Sequence, residues 1–243
     1  MSRSNPSVNI PNPSTKWFEW NSTAKCFGYW DKEKKELVLV KLPFTFIMLD
    51  RTSTVRGYNK QVGSGIYSNE VRDLREQPLI VKYFAGGEVA SGFWADIKDR
   101  VVARKGKFAL NVYLAYREDN KLRIGCFQAV GCAVGAWIDF EKAAGKAILE
   151  KAVTCKTFVN DKSGEVEFNA PVFSLGEVTP ETNAQALALD KELQEYFKGY
   201  FKRPSTDRAQ SAAAQPTDAS PHNEPEPEPE PQPTPHDDPE VPF

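Results

Sequence analysis

Two segments, Phe108–Tyr116 and Leu122–Val130, narrow the folds open to this chain more than any other feature. In the first, Phe108, Leu110, Val112, Leu114 and Tyr116 recur at every second position, so all five fall on one face of an extended strand. In the second, Leu122, Ile124 and Cys126 keep the same period, and the polar Glu118–Asp119–Asn120 between the arms reads as a turn. An antiparallel hairpin with a buried face follows. A lone hairpin is marginal in water, so the rest of the chain must cover it.

Neighbouring segments supply the cover. Lys16–Trp20 (KWFEW) opens the body, and Ala24–Trp30 is aromatic-rich. Glu36–Leu49 is a run of Val, Leu, Phe and Ile broken at Pro43, which predicts a bulged or bent strand. Pro78–Phe84 reads as a short apolar strand ending at Gly86–Gly87, and a second hairpin is expected from Lys156–Asn160 and Glu165–Phe173.

Helices are fewer. Phe93–Arg104 places Ile97, Val101 and Val102 on an apolar side, and Gly131–Ala144 repeats Ala133, Val134, Trp137, Ile138 and Phe140 at three and four. Thr179–Pro180–Glu181 supplies an N-cap, a first-turn proline and an acid at the positive dipole end of a third. Its stripe of Leu189, Leu193, Tyr196, Phe197 and Tyr200 has two readings, docking onto the body or a contact between protomers of a homo-oligomer. The expected fold is mainly β, an OB-like five-stranded barrel with additional hairpins and a few helices over residues 15–204. A flexible N-terminal arm, 1–14, precedes it, and a disordered acidic tail, 205–243, follows.

Charge is divided along the same lines. The 243 residues carry a formal −2, but Ser205–Phe243 holds ten prolines, nine acids and one base (Arg208), or −8. The body is therefore +6, an asymmetry that points to nucleic acid. Both histidines, His222 and His236, lie in the tail, which removes His-based triads and His general bases from the body. Cys26, Cys126, Cys132 and Cys155 form no C-x-x-C pair, so thiolate zinc is not expected. A polar, proline-containing N-terminus, short apolar runs and unpaired thiols fit a cytoplasmic, non-membrane protein. No cofactor is expected, because Gly63–Ser64–Gly65 and Gly86–Gly87 lack a Walker-type Lys-Ser/Thr.

Aromatic side chains interleaved with bases suit single-stranded nucleic acid, which needs stacking platforms and positive charge along a groove. The candidate stackers are Trp20, Trp30, Tyr58, Tyr83 and Trp94. The candidate phosphate contacts are Arg51, Arg56 and Lys60, then Arg72, Arg75 and Lys82, then Lys98, Arg100, Arg104, Lys105 and Lys107. A rival reading takes Asp96 and Asp99 as carboxylates of a metal-dependent nuclease. In the tail, Glu224–Pro231 alternates Glu and Pro, which favours polyproline II. The chain then ends with Asp237, Asp238, Pro239, Glu240, Val241, Pro242 and Phe243, an apolar anchor after acids that suits capture by a basic-rimmed pocket on another protein.

This ending resembles the acidic tip of bacterial single-stranded-DNA-binding proteins, with Pro239 and Glu240 where that family usually has aspartates. The body is similar to a bacteriophage group of single-stranded-DNA-binding proteins in Lys16–Trp20, Leu42–Asp50 (LPFTFIMLD), Ser68–Asp73 (SNEVRD), Ala95–Ala103 (ADIKDRVVA) and Gly135–Phe140 (GAWIDF). The resemblance implies an OB-fold, non-enzymatic protein that coats single-stranded DNA in phage replication, recombination or repair. Through the tip, Asp237, Asp238, Glu240, Val241, Pro242 and Phe243 would recruit replication or recombination proteins. An RNA-binding or transcription-associated module is the alternative.

Overall fold

A computed structural model of the chain describes residues 11–163 and 166–213. It is mainly β. Strands β1 (Lys16–Asn21), β2 (Cys26–Asp31) and β3 (Glu36–Val40) form a meander, and β4 (Phe44–Asn59) and β5 (Ser64–Ser68) follow. Then come β6 (Leu79–Tyr83), β7 (Glu88–Gly92), α1 (Trp94–Ala103), β8 (Gly106–Glu118) and β9 (Lys121–Val130). Helix α2 (Cys132–Ala144) and a 3₁₀ turn lead to β10 (Ala152–Ser163), β11 (Val166–Gly176), α3 (Pro180–Phe201) and α4 (Ser205–Ala213).

All eleven strands belong to one sheet, ordered β3-β2-β1-β9-β8-β4-β5-β6-β7, with β10–β11 attached to β4. The β1–β9 pairing is parallel and the others are antiparallel. A five-stranded barrel is not among the pairings of the described residues. The reason is the length of β4, whose sixteen residues give one edge to β8 and share the other between β10 at its start and β5 at its end. Pro43 therefore separates two strands instead of bending one.

The sheet nonetheless curls onto itself. Phe27 on β2 lies 5.1 Å from Phe44 on β4 and 6.4 Å from Phe173 on β11. Trp20 on β1 donates its indole N–H to the Asn169 carbonyl on β11 at 2.7 Å. The two limbs thus meet around a core of Phe18, Phe27, Phe46, Leu110, Val112, Leu114 and Phe127, plugged by Trp137 from α2. Each of these large side chains contributes about 1.5–3 kcal/mol by leaving water.

The central hairpin has the expected register, with Val112 opposite Phe127 and left-handed Asp119 and Asn120 in its turn. Its second arm differs from the sequence reading. Phe127 and Ala129 face the aromatic core, whereas Ile124 and Cys126 face α3 together with Tyr113. Both faces of the hairpin are covered, so neither alternation marks a solvent side. On α3 the stripe of Leu193, Tyr196, Phe197 and Tyr200 docks onto this second face, with Leu189 packed against it, and Thr179 Oγ1 accepts the Thr182 N–H at 3.2 Å as the N-cap.

At either end the body extends further than the sequence indicates. Asn12 donates to the Tyr113 hydroxyl at 3.1 Å, so residues 11–14 of the expected arm lie on the sheet. Residues 205–213 of the expected tail form α4, which buries Arg208, Ala209 and Ala212. Among the described residues no helix is long and apolar enough to cross a membrane.

Candidate nucleic-acid interface

The run Lys98–Lys107 becomes a surface because of two glycines. Gly57 and Gly106 pair across β4 and β8 beneath the end of α1. A Cβ on Gly57 would sit 2.3 Å from the Lys105 carbonyl, and one on Gly106 would sit 2.5 Å from Val101. Only glycine permits this approach, which turns α1 sharply back into β8 through a left-handed Lys105 (φ +69°). Asn59 closes the corner by donating to the orphan Arg104 carbonyl at 3.0 Å. Lys60 follows Asn59, so Lys60, Arg104, Lys105 and Lys107 gather at one corner, all exposed.

Helix α1 presents the rest. Ile97 and Val101 are buried, and Lys98 and Arg100 are exposed on the two flanks of the outer face that carries Asp99. Val102, expected inside, is 53% exposed, because it stands about 100° round the helix from Val101. Trp94 is half-buried with its ring 5.5 Å from Phe108, and the preceding Phe93 is 41% exposed. Phe93 was not a sequence candidate, although its place beside Trp94 and the basic run was a usable signal. Asp96 occupies the first turn of α1, where it meets the positive dipole end. No three His, Cys, Asp or Glu side chains converge as metal ligands among the described residues.

Other candidates have structural partners. Arg56 is buried on β4, where burial pulls its pKa down and the charges of Glu70 and Glu19 push it back up. With the Gln128 amide oriented to satisfy both its ends, that side chain accepts from Arg56 Nε at 3.2 Å and Nη2 at 3.0 Å and donates to Glu19 at 3.1 Å. Arg56 is therefore an interior cation, not a surface one. Arg72 is bound to Asp50 at 2.6 Å and lies 5.0 Å from the Phe197 ring, clamping α3 to the sheet. Arg51 pairs with Glu141 on α2 at 3.3 Å.

Trp20 is half-buried against the aromatic core, and Tyr83 packs beside the core under α1. Tyr58 and Lys82 are half-buried on β4 and β6, and Arg75 is exposed in the β5–β6 loop. Trp30 is 37% exposed on β2, several strands away from α1 in the sheet order. The structure thus brings Lys60, Arg104, Lys105 and Lys107 to one corner, leaves Lys98 and Arg100 exposed on the adjoining α1, and places Trp30, Arg51, Arg56 and Arg72 elsewhere. The tip residues Asp237, Asp238, Glu240, Val241, Pro242 and Phe243 lie outside the described residues.

Behind the β4 face sits a buried polar hub. Glu70 accepts from the Thr52 hydroxyl and from the Tyr113 hydroxyl, its backbone N–H donates to the Tyr200 hydroxyl at 2.7 Å, and its carbonyl accepts from Arg208 at 3.1 Å. Burial, reinforced by the Glu70 charge, raises the Tyr113 and Tyr200 phenols. Burial also pushes the Cys155 thiol up to about 11. A thiol held that high is a poor nucleophile. Comparison of the chain with protein-family models, with curated protein sequences and with solved structures returns no match.

Proposed function

We propose that this protein is a non-enzymatic single-stranded-DNA-binding protein whose strand lies along the outer side of α1 and the β4–β8 corner. The observation that carries this reading is the exposed run Lys98, Arg100, Arg104, Lys105 and Lys107, joined by Lys60 and flanked by Phe93. Phosphates need such a line of charge, and a base can stack on an exposed ring at about 1–3 kcal/mol. On this reading the curled sheet serves as a partly open OB-type barrel, and the tip Asp237–Phe243 recruits replication, recombination or repair proteins in the cytoplasm. The charge asymmetry between a +6 body and a −8 tail supports the same assignment.

The test is a titration with poly(dT) at two salt concentrations, followed by tryptophan fluorescence and anisotropy. Binding should weaken with salt at a slope of about −0.7 per phosphate neutralised. Equal or tighter binding to poly(rU) would move the assignment to RNA. Salt-independent binding, or none, would remove it.

A further inference from the structure

A second nucleic-acid contact, made by elements outside the α1 corner, emerges from the outer half of the β10–β11 hairpin. Strand β10 pairs with β4 only through Val153–Cys155, and beyond the bulge at Cys155/Thr157 the hairpin continues as a two-stranded ribbon to Ser163 and Val166. Such a ribbon needs support to persist in water. It gets it from the β1–β2 turn. Trp20 donates to the Asn169 carbonyl at 2.7 Å, Asn169 donates to the Ser22 carbonyl at 3.1 Å, and the Lys25 ammonium stands 4.9 Å over the Phe158 ring.

Between turn and ribbon lies an open groove lined by Lys25, Asn160, Asp161, Lys162, Glu167, Phe168 and Asn169. Asn160 and Asn169 are cross-strand partners, so their amides stand side by side on one face of the ribbon. The two lysines are matched by Asp161 and Glu167, so the groove has no net charge and does not suit a bare phosphate. Paired amides on one face of the ribbon suit a neutral, planar group with hydrogen-bonding edges.

We infer that this groove receives one unstacked nucleobase of a bound single strand, held by Asn160 and Asn169 at its edge with Lys25 at its rim. The inference rests on the reading of the protein as a single-strand binder. It adds a hydrogen-bonded base contact to a surface otherwise made of phosphate contacts and stacking on Phe93.

Lys25 supplies a second variant, which also removes the contact with Phe158. Its backbone is left-handed (φ +55°), a conformation glycine adopts more readily, so Lys25→Gly removes the side chain without straining the turn. Full-length wild type, Lys25→Gly, Asn160→Ala and the α1 variant Lys98→Glu/Arg100→Glu are titrated with a fluorescein-labelled dT oligonucleotide and with an abasic strand of equal length. Asn160→Ala should bind the dT strand about fivefold more weakly with an unchanged salt slope, and Lys25→Gly should also weaken it. On the abasic strand Asn160→Ala and wild type should bind equally. If both groove variants match wild type on dT while the α1 variant is impaired, the base site is wrong and the single-strand reading stands. An equal loss for Asn160→Ala on both strands would also overturn it. No binding of either strand by the wild type would bring down both.

Discussion

The Tyr113 hydroxyl on β8 lies 2.9 and 3.0 Å from the two carboxyl oxygens of Glu70, with both side chains buried. That contact joins the central hairpin to the loop on which α3 and α4 rest. Removing the hydroxyl leaves a buried acceptor short of a donor, which costs about 1–3 kcal/mol. Tyr113→Phe should lower stability to urea by that amount without altering the salt slope of single-strand binding. A variant as stable as wild type would show that Thr52 and neighbouring groups satisfy Glu70 alone.

Charge reversal separates surface cations from structural ones. Lys98→Glu/Lys107→Glu should weaken poly(dT) binding and flatten its salt slope by about 0.7 for each lost phosphate contact. Arg72→Ala should leave the slope alone and lower the unfolding midpoint, because Arg72 holds Asp50 and lies against Phe197 and Phe201. A slope change for Arg72→Ala of equal size would place that side chain on the strand.

The glycine pair predicts a conformational effect at a distance from any charge. Gly57→Ala collides with the Lys105 carbonyl, so α1 must shift or the ladder must open. The expected loss is about 1–3 kcal/mol, with weaker poly(dT) binding although no base has been removed. Unchanged stability and affinity would mean that the corner yields more easily than its geometry indicates.

Truncations should distinguish helix from tail. Deleting residues 214–243 should leave the melting temperature unchanged and tighten single-strand binding at low salt, since an acidic segment no longer competes for the basic surface. Deleting 205–243 also removes Arg208, which donates to the Glu70 carbonyl, and should lower stability by at least about 1–3 kcal/mol. Identical melting curves for the two would make α4 dispensable. In the intact chain, Phe243→Ala should abolish pull-down of replication or recombination proteins while sparing DNA binding.

At the hairpin's far end, Lys16 bonds Glu118 and the Tyr29 hydroxyl. Burial opposes the Lys16 charge, and the two hydrogen bonds outweigh it and raise the ammonium above 10.5. The Lys16 bond likewise holds the Glu118 carboxyl below its usual 4.5. A depressed carboxyl stabilises the fold above its unfolded value and loses that contribution as pH falls through the folded one. Glu118→Gln should therefore flatten the fall of stability below pH 4.5, measured by urea unfolding across an acid series. The Lys16 contribution runs the other way, complete below 10.5 and lost as pH rises through its higher folded value. Parallel acid curves for mutant and wild type would rule out the pair.

The β character, both hairpins and the three long helices were legible because period and capping act locally. Thr179 capping α3 and the Asp119–Asn120 turn depend on a few adjacent residues. The fate of each base was not legible. Arg56 and Lys107 are direct cross-strand partners, yet one is buried and the other exposed. What separates them is the cover that distant parts of the chain lay over the sheet, which no window around either residue contains. Helix α4 escaped notice because its buried alanines carry little apolar signal beside the charged and polar residues around them.

The parallel pairing of β1 with β9 has a consequence for synthesis. Thr15 bonds the Ile124 carbonyl across 109 residues of sequence, so β1 leaves the ribosome with its partner edge still untranslated. At about 5–20 residues per second, the wait is on the order of ten seconds. During that interval Trp17, which is buried against Tyr113, Ile124 and α3 in the finished protein, has no surface to cover it. Nascent chains of this protein should therefore engage general chaperones until β9 has emerged, and release should follow the translation of Val130.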